Sequence, residues 1–443
     1  FSQKLTLKLL EMGFTQGIED EMCFIHPGLN ATQAITEATS FDAAPKTENP
    51  TKPSPTDLSG PPKQSSSSDG PFQQMVIVGW VDDLLTMSSD SRDDEWFSRK
   101  IQEEFTLSDG SGEDAELFLG MKVERDREKR LLKISCEKAI NTLLHSLSNH
   151  LPPTKTFPTP ISPDADLDRP TPNATVATTS TSDLPESLDR LREGERIIPE
   201  EEFPYRKVIG SVLHMSRTCR PDLALAISEL SRHLGATTDR HVKAAKRMLL
   251  YLRKTPDLGI VWHGNLSPLD ALRMDTYSDS DWAGNSANRK SRSGHTVQFG
   301  KASIDWFTKL QSIQSMSSCE AETIACCETL RTVLALRILL IELGLSQPGS
   351  SVIRVDNQAL YLNASGEGQS SRSKHFALKT ELLREYTRLG RIRLVKVHTS
   401  ENVSDFLTKS LPEKDYIRLR DVLMGLVTEE SRNMCKCLSN STI

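Results

Sequence analysis

Carboxylates in this chain recur where a backbone element starts or stops. Asp279 and Asp281 lie in YSDSDWAG (277–284), at the end of a strand-like run, and Glu320 and Glu322 open a long helical pattern in SSCEAET (317–323). Asp356 follows the apolar run SVIRV (351–355), and Asp405 starts DFLTKSL (405–411). Singly, each has an ordinary role as a turn residue, a cap, or an acidic group favoured by a helix N-terminus. Together they form an ordered set: Asp after a first strand, Glu on the next helix, Asp ending a later strand, Asp on a final helix. Hard oxygen ligands of this kind suit Mg2+, with Mn2+ as the other ion they accept. Two such ions about 4 Å apart can hold a scissile phosphate, activate a water and stabilise the leaving oxygen. A second acidic feature is the pair Asp82 and Asp83 in VIVGWVDDLLT (76–86). Adjacent like charges are costly in a strand, so the pair marks either a hairpin turn or a metal site.

The elements that must position these groups fall into blocks. The chain has 443 residues, which favours two or three domains, and its apolar fraction of 37% suggests disordered stretches between folded ones. Two segments rich in Thr, Ser and Pro, 28–71 and 151–202, have too few apolar groups to offset their ordering entropy and are predicted to be a disordered insertion and a disordered linker. They leave three folded blocks. Residues 1–27 with 72–150 hold the VIVGWVDDLLT hairpin, a helix near Asp93–Glu104, the strand candidates ELFLGMKVERD and RLLKISCE, and the helix CEKAINTLLHSL. Residues 203–268 read as helical, and 413–443 as a C-terminal tail. Residues 270–412 alternate strand and helix, which predicts a mixed sheet flanked by helices and an α/β (α+β) class overall. An amphipathic helix starting at Phe1 without a cap or a Met is expected of a fragment.

Charge narrows the partners. The chain carries −6 overall, yet Pro204–Val261 has seven Arg and four Lys against four acidic residues. That local bias suits phosphate contact, with Arg217, Arg220, Lys243, Lys246 and Arg247 as candidates. No run approaches a membrane span, and the eight cysteines follow no framework spacing, so a reduced, intracellular chain is expected. Cys435-Lys436-Cys437 has no second Cys/His pair nearby and makes a poor metal clip.

Six motifs carry a resemblance. YSDSDWAG (277–284), RKSRSG (289–294), SSCEAET (317–323), VDNQAL (355–360), SRSKH (371–375) and NVSDFLTKSLP (402–412) together resemble the ribonuclease H domain of copia-type LTR retrotransposon Pol polyproteins. The resemblance extends upstream through PYRKVIGSVLHMSRTCRPDLALAISELSR (204–232) and HVKAAKRMLLYLRKTPDLGI (241–260), which are similar to the connection between polymerase and ribonuclease H. FSQKLTLKLLEMGFTQGIEDEMCFIH (1–26) and VGWVDDLL (78–85) resemble part of a reverse transcriptase palm, with a thumb-like region after it.

The resemblance implies metal ligation by Asp279, a helix Glu, Asp356 and Asp405, and hydrolysis of RNA in an RNA–DNA hybrid with Mg2+. Glu320 and Glu322 lie about 200° apart on a helix, so one of them faces the site. Family helices carry Ala three positions after the Glu; Ala325 favours Glu322 and keeps Glu320 in reserve. His398 is a candidate for proton transfer or a structural residue at a strand end, and Asp281 a neighbour of the site or a turn former. Asp82 and Asp83 match the polymerase aspartate pair, with Trp80 in place of the usual Tyr and the 28–71 insertion splitting the palm. The third polymerase carboxylate of the family lies upstream of Phe1, so no primer extension is expected of this chain. The expected partners are an RNA–DNA hybrid or other nucleic acid and other parts of the polyprotein, with no membrane. The non-enzymatic alternative is a catalytically inactive remnant that at most binds nucleic acid.

Overall fold

The structure is a computed structural model that describes residues 2–12, 14–17, 22–26, 75–80, 83–88, 91–106, 116–165, 167, 195–267, 273–285, 288–347, 349–366 and 376–426. It divides into two units, Phe1–Ala115 with Ala335–Ser346, and Glu116–Leu334 with Gln347–Ile443. Among the described residues no helix is long and apolar enough to cross a membrane.

In the first unit, α1 (Ser2–Glu11) precedes β1 (Thr15–Gln16), β2 (Cys23–Ile25), β3 (Met75–Trp80), β4 (Asp83–Ser88) and α2 (Ser91–Gln102). The four strands form an antiparallel sheet in chain order. Period-2 burial drives it: Met75 and Ile77 point inward and pack with Leu5, Leu9, Phe14, Phe24, Phe97 and Ile101. The hairpin expected at 76–86 is present, with Trp80 opposite Asp83. Asp83 is exposed at the start of β4; Asp82, the insertion 28–71 and Cys435-Lys436-Cys437 lie outside the described residues.

The second unit opens with β5 (Leu117–Phe118), β6 (Met121–Asp126), β7 (Leu131–Ser135) and α3 (Glu137–Ser146). The turn between β6 and β7 is closed by the Asp126 carboxylate, which accepts from the Lys129 N–H at 2.8 Å. Then come α4 (Tyr205–Thr218), α5 (Ala224–Leu230), α6 (Asp239–Lys254) and β8 (Gly259–His263), the last pairing with β7. Residues 116–150 therefore share a sheet and a core with the helical connection, rather than grouping with residues 1–27 as the sequence suggested.

The remaining elements are β9 (Met274–Asp281), β10 (Arg292–Phe299), β11 (Ala302–Leu310), α7 (Ser318–Glu342), β12 (Ser351–Val355), α8 (Gln358–Ser365), α9 (Ala377–Arg388), β13 (Ile392–Lys396), α10 (Asp405–Thr408) and α11 (Glu413–Leu423). The strands form a sheet of order β11-β10-β9-β12-β13. β9, β10 and β11 are mutually antiparallel, whereas β12 runs parallel to both β9 and β13. That mixed sheet with helices is the ribonuclease H-like arrangement expected of 270–412.

One hydrophobic core joins this sheet to the connection: Val208, Val212, Leu249 and Leu252 pack in a cluster with Tyr277, Phe406, Tyr416, Leu419 and Leu423. Two expected boundaries therefore move. Glu413–Leu423 is a core helix, not a tail. The ends of the predicted linker are also ordered, because Leu151, Ile161, Leu167 and Ile198 reach the core. Arg247 stacks on Phe157 at 4.3 Å and donates to Thr159 at 2.7 Å. A few well-placed apolar groups suffice where average composition predicts disorder.

At the centre of the connection lies Arg220. Its Nε and Nη2 donate to the Asp222 carboxylate at 2.8 and 2.7 Å, and its remaining donors meet the Thr255 carbonyl and hydroxyl at 2.9 Å. Tyr251 donates to the same carboxylate at 2.6 Å, and Tyr416 to the Asp222 carbonyl at 2.8 Å. Breaking a buried, bidentate pair strands the other charge. We expect Arg220→Ala to lower unfolding stability by about 3–5 kcal/mol in denaturant titration; a loss under about 1 kcal/mol would contradict the role assigned to the pair.

Candidate metal centre

The strand register sets two of the acidic groups side by side. Arg354 of β12 lies opposite Tyr277 of β9 in parallel pairing. Two residues further along each strand stand Asp356 and Asp279, and the period of two puts both on the face their partners use. Asn357 then caps α8, accepting from the Leu360 N–H at 3.0 Å, which turns the chain away just beyond Asp356. Lys396 donates to the carbonyl of Asp356 and holds that corner to β13.

The helix carboxylate comes from the first turns of α7. Thr329 of α7 donates to Ser278 of β9 at 3.0 Å and fixes the helix over the strand. Ser317 accepts from the Glu320 N–H at 3.1 Å, and Glu320 in turn accepts from the Met316 N–H at 2.7 Å. Glu320 thus satisfies the helix start. Glu322, on the other side, is buried and brings an oxygen to the cluster: ligand atoms of Asp279, Glu322 and Asp356 all lie within 4.8 Å of one another. The Glu322 Oε2 is buried without a hydrogen-bond partner. Burial, followed by the charges of Asp279 and Asp356, pushes the Glu322 pKa well above the usual carboxylate range.

Asp405 approaches from α10. Asn402 donates to the Ser278 carbonyl at 3.1 Å, and Thr308 to the Leu407 carbonyl at 2.7 Å, which seat that short helix on the sheet. Gly294 allows the close approach, since a Cβ there would stand 2.7 Å from Thr408 and 3.0 Å from Leu407. Thr408 donates to Asp279 Oδ2. Lys409 Nζ lies 2.9 Å from Asp405 Oδ1 and 3.3 Å from Asp279 Oδ2. These two residues were missed in the sequence reading, although they sit inside NVSDFLTKSLP. The signal available was the i,i+4 spacing of Asp405 and Lys409.

The other candidates lie elsewhere. Asp281 accepts from the Arg292 N–H, and burial raises its pKa to about 6. It serves the turn after β9, where Gly284 comes so near that a Cβ would stand 1.9 Å from Asp281 Oδ2. His398 is exposed at the end of β13 and its Nδ1 accepts from the Ser400 N–H at 3.2 Å, so the neutral ring carries its proton on Nε2. Among the basic candidates, Arg217 and Lys243 are exposed, while Lys246 and Arg247 are half-buried, stacked over Phe203 and Phe157 respectively. Arg220 must be withdrawn from any nucleic-acid surface, because its guanidinium is wholly buried with Asp222.

What the cluster can do follows from its charge. Four carboxylates share one end of the sheet, and three are within reach of a single cation. A buried, unpartnered oxygen beside two further carboxylates fits a divalent ion held by hard oxygens. Burial, then the charge of Asp279, raises the Asp405 pKa to about 7 against the pull of Lys409. A carboxyl whose folded pKa is raised destabilises the fold once ionised. Its penalty is absent at low pH and grows as pH rises from about 4, the unfolded value, to about 7. In chelator, the melting temperature of the native chain should therefore fall across that window, and Asp405→Asn should flatten the fall. Equal slopes for the two proteins would refute this.

Comparison with known proteins gives the chain its relatives. The Retrovirus-related Pol polyprotein from transposon TNT 1-94 of Nicotiana tabacum is 28% identical over 342 residues, 77% of this chain and 24% of that protein. The corresponding polyprotein from transposon RE2 of Arabidopsis thaliana is 36% identical over 207 residues, 47% of this chain and 14% of that one. The chain thus spans about a quarter or less of the length of these two relatives. No family model matches it. Among solved structures, ribonuclease H1 from Halobacterium salinarum aligns with 31% of this chain and 94% of its own, at 15% identity and a TM-score of 0.24, a likeness too slight to add weight. The motifs and the relatives agree: over 77% of its length the chain is similar to a retrotransposon Pol polyprotein, as its resemblance to the copia-type reverse transcriptase and ribonuclease H region implies.

Proposed function

We propose that the second unit carries a divalent-metal-dependent ribonuclease H that cuts the RNA strand of an RNA–DNA hybrid. The convergence of Asp279, Glu322 and Asp356 on one point is the observation that supports this reading most directly. Asp279, Glu322, Asp356 and Asp405 would hold the metal, Mg2+ or Mn2+. Bound there, the metal would supply positive charge against the scissile phosphate and lower the pKa of a water.

The chain's own groups do the rest. The adjacent strand ends fix Asp279 and Asp356 with little freedom, so the ligand geometry is set before substrate arrives. Thr408 orients the Asp279 carboxylate by donating to Oδ2. His398, exposed just after β13, is the candidate for proton transfer. The exposed Arg217 and Lys243 of the connection offer phosphate contacts.

The test is a labelled hybrid incubated with the chain and Mg2+. Cleavage is expected to fall at least about a hundredfold in Asp356→Asn and Glu322→Gln, and by less than about tenfold in Glu320→Gln. No cleavage by the native chain, or cleavage untouched by Asp356→Asn, would sink the catalytic reading. A second reading, binding without cutting, is favoured by the exposed cations of the connection. It predicts affinity for duplex that falls steeply as salt rises, and Lys243→Ala should reduce the slope of that fall by about one. Salt-independent binding would exclude it.

A further inference from the structure

The proposed metal centre contains a cation of its own. Lys409 Nζ sits between the first and last carboxylates of the set, 2.9 Å from Asp405 Oδ1, 3.3 Å from Asp279 Oδ2 and 3.4 Å from Asp279 Oδ1. It does not share the arrangement of the other three: the cluster that could bind one ion is Asp279, Glu322 and Asp356. Asp279 belongs to both groupings and so divides the centre into two halves. In one half a buried Glu322 oxygen has no partner. In the other, an ammonium already compensates the carboxylates.

The chain around Lys409 makes this placement reproducible. The Lys409 N–H closes the last turn of α10 onto the Asp405 carbonyl at 2.9 Å, which carries the side chain back over Asp405. The neighbouring Thr408 donates its hydroxyl to Asp279 Oδ2. The head group also keeps a way out, since the Lys409 side chain is 38% exposed while that of Asp279 is fully buried. A flexible four-carbon stem lets an ammonium leave without moving the backbone.

We propose that Lys409 is a resident counter-cation that occupies the Asp279–Asp405 half of the centre in the metal-free chain. Divalent ions then load in order. One enters at Asp279, Glu322 and Asp356, where the Lys409 ammonium is in contact with the shared Asp279 alone; a second enters between Asp279 and Asp405 only by expelling that ammonium. The same residue keeps the metal-free carboxylates from driving α10 off the sheet. This inference rests on the metal-dependent reading above, and it makes Lys409 a positioning residue that sets metal stoichiometry rather than one that meets substrate.

The test uses Mn2+ alone, with the whole chain and no nucleic acid. Calorimetric titration and Mn2+ electron paramagnetic resonance count the bound ions; thermal melting in chelator reads the metal-free state. The native chain should bind one Mn2+ tightly and a second at least about tenfold more weakly. Lys409→Met should tighten the second ion by about tenfold or more and lower the metal-free melting temperature, with added Mn2+ restoring it. Lys409→Arg, which keeps the charge, should follow the native chain. Should the Met variant fail to fold, Lys409→Gln retains polarity without charge and gives the same comparison.

An unchanged Mn2+ isotherm in the neutral variant, or weaker binding of both ions, overturns the proposal. Because Mn2+ binding is read without substrate, the two readings fail separately. A chain that loads metal as described yet leaves the hybrid intact refutes the ribonuclease reading alone. A chain that cuts the hybrid while Lys409→Met binds Mn2+ as the native chain does refutes the counter-cation alone.

Discussion

Everything in the second unit serves the confinement of like charge. Four carboxylates reach one end of a sheet, and three of their oxygens lie within 4.8 Å of each other. No hydrophobic gain comes from that arrangement. It persists because surrounding elements hold each carboxylate from a different direction: β9 and β12 by strand register, α7 by its first turns, and α10 by hydrogen bonds to the sheet. The repulsion is a local defect that the rest of the fold overrides, as functional sites commonly require. Glu320, two residues before Glu322 and on the other side of the helix, shows the difference between the two uses of an acidic residue. It satisfies a backbone N–H and takes no part in the crowding.

The connection provides much of the rigidity. Its helices share one core with the sheet and with α11. Polar ties repeat that union: Arg292 of β10 donates to Ser228 of α5 at 2.7 Å and pairs with Glu229, and Trp306 of β11 donates to the Ser216 carbonyl at 2.7 Å. Arg292 belongs to the motif RKSRSG, whose basic residues invite a nucleic-acid reading. In the structure its charge is spent inward. The same holds for Arg220, and the two together show that a local excess of Arg is not by itself a surface. Exposure separates Arg217 and Lys243 from them.

Periodicity made the elements legible, because strands such as SVIRV and long helices such as α7 are set by local spacing of apolar groups. The acidic set was legible as well, since each member sits at an element boundary where chain order alone is informative. The choice between Glu320 and Glu322 needed helical geometry, and the structure separates their contacts. Three things were hidden. The burial of Arg220 depends on Asp222 and Thr255, the latter far along the chain, whose pairing no local pattern announces. The order in residues 151–165 depends on a groove supplied by α6 and its neighbours. Lys409 looked like an ordinary charged residue after a helix, because its meaning arises only once β9 lies beside it.

The last of the core helices has a consequence for biogenesis. α11 supplies Tyr416, Leu419 and Leu423 to a core that begins at Cys136, and just beyond it the Met424 carbonyl accepts from the Val261 N–H at 2.9 Å. Contacts so distant along the chain raise contact order and slow folding. During synthesis this core cannot be completed until residues near 424 leave the ribosome, however early its strands emerge. A processing cut or stop codon upstream of Glu413 would strip away the closing helix and leave apolar surface for chaperones to bind. The acidic centre would then never be assembled, although every one of its carboxylates had already been made.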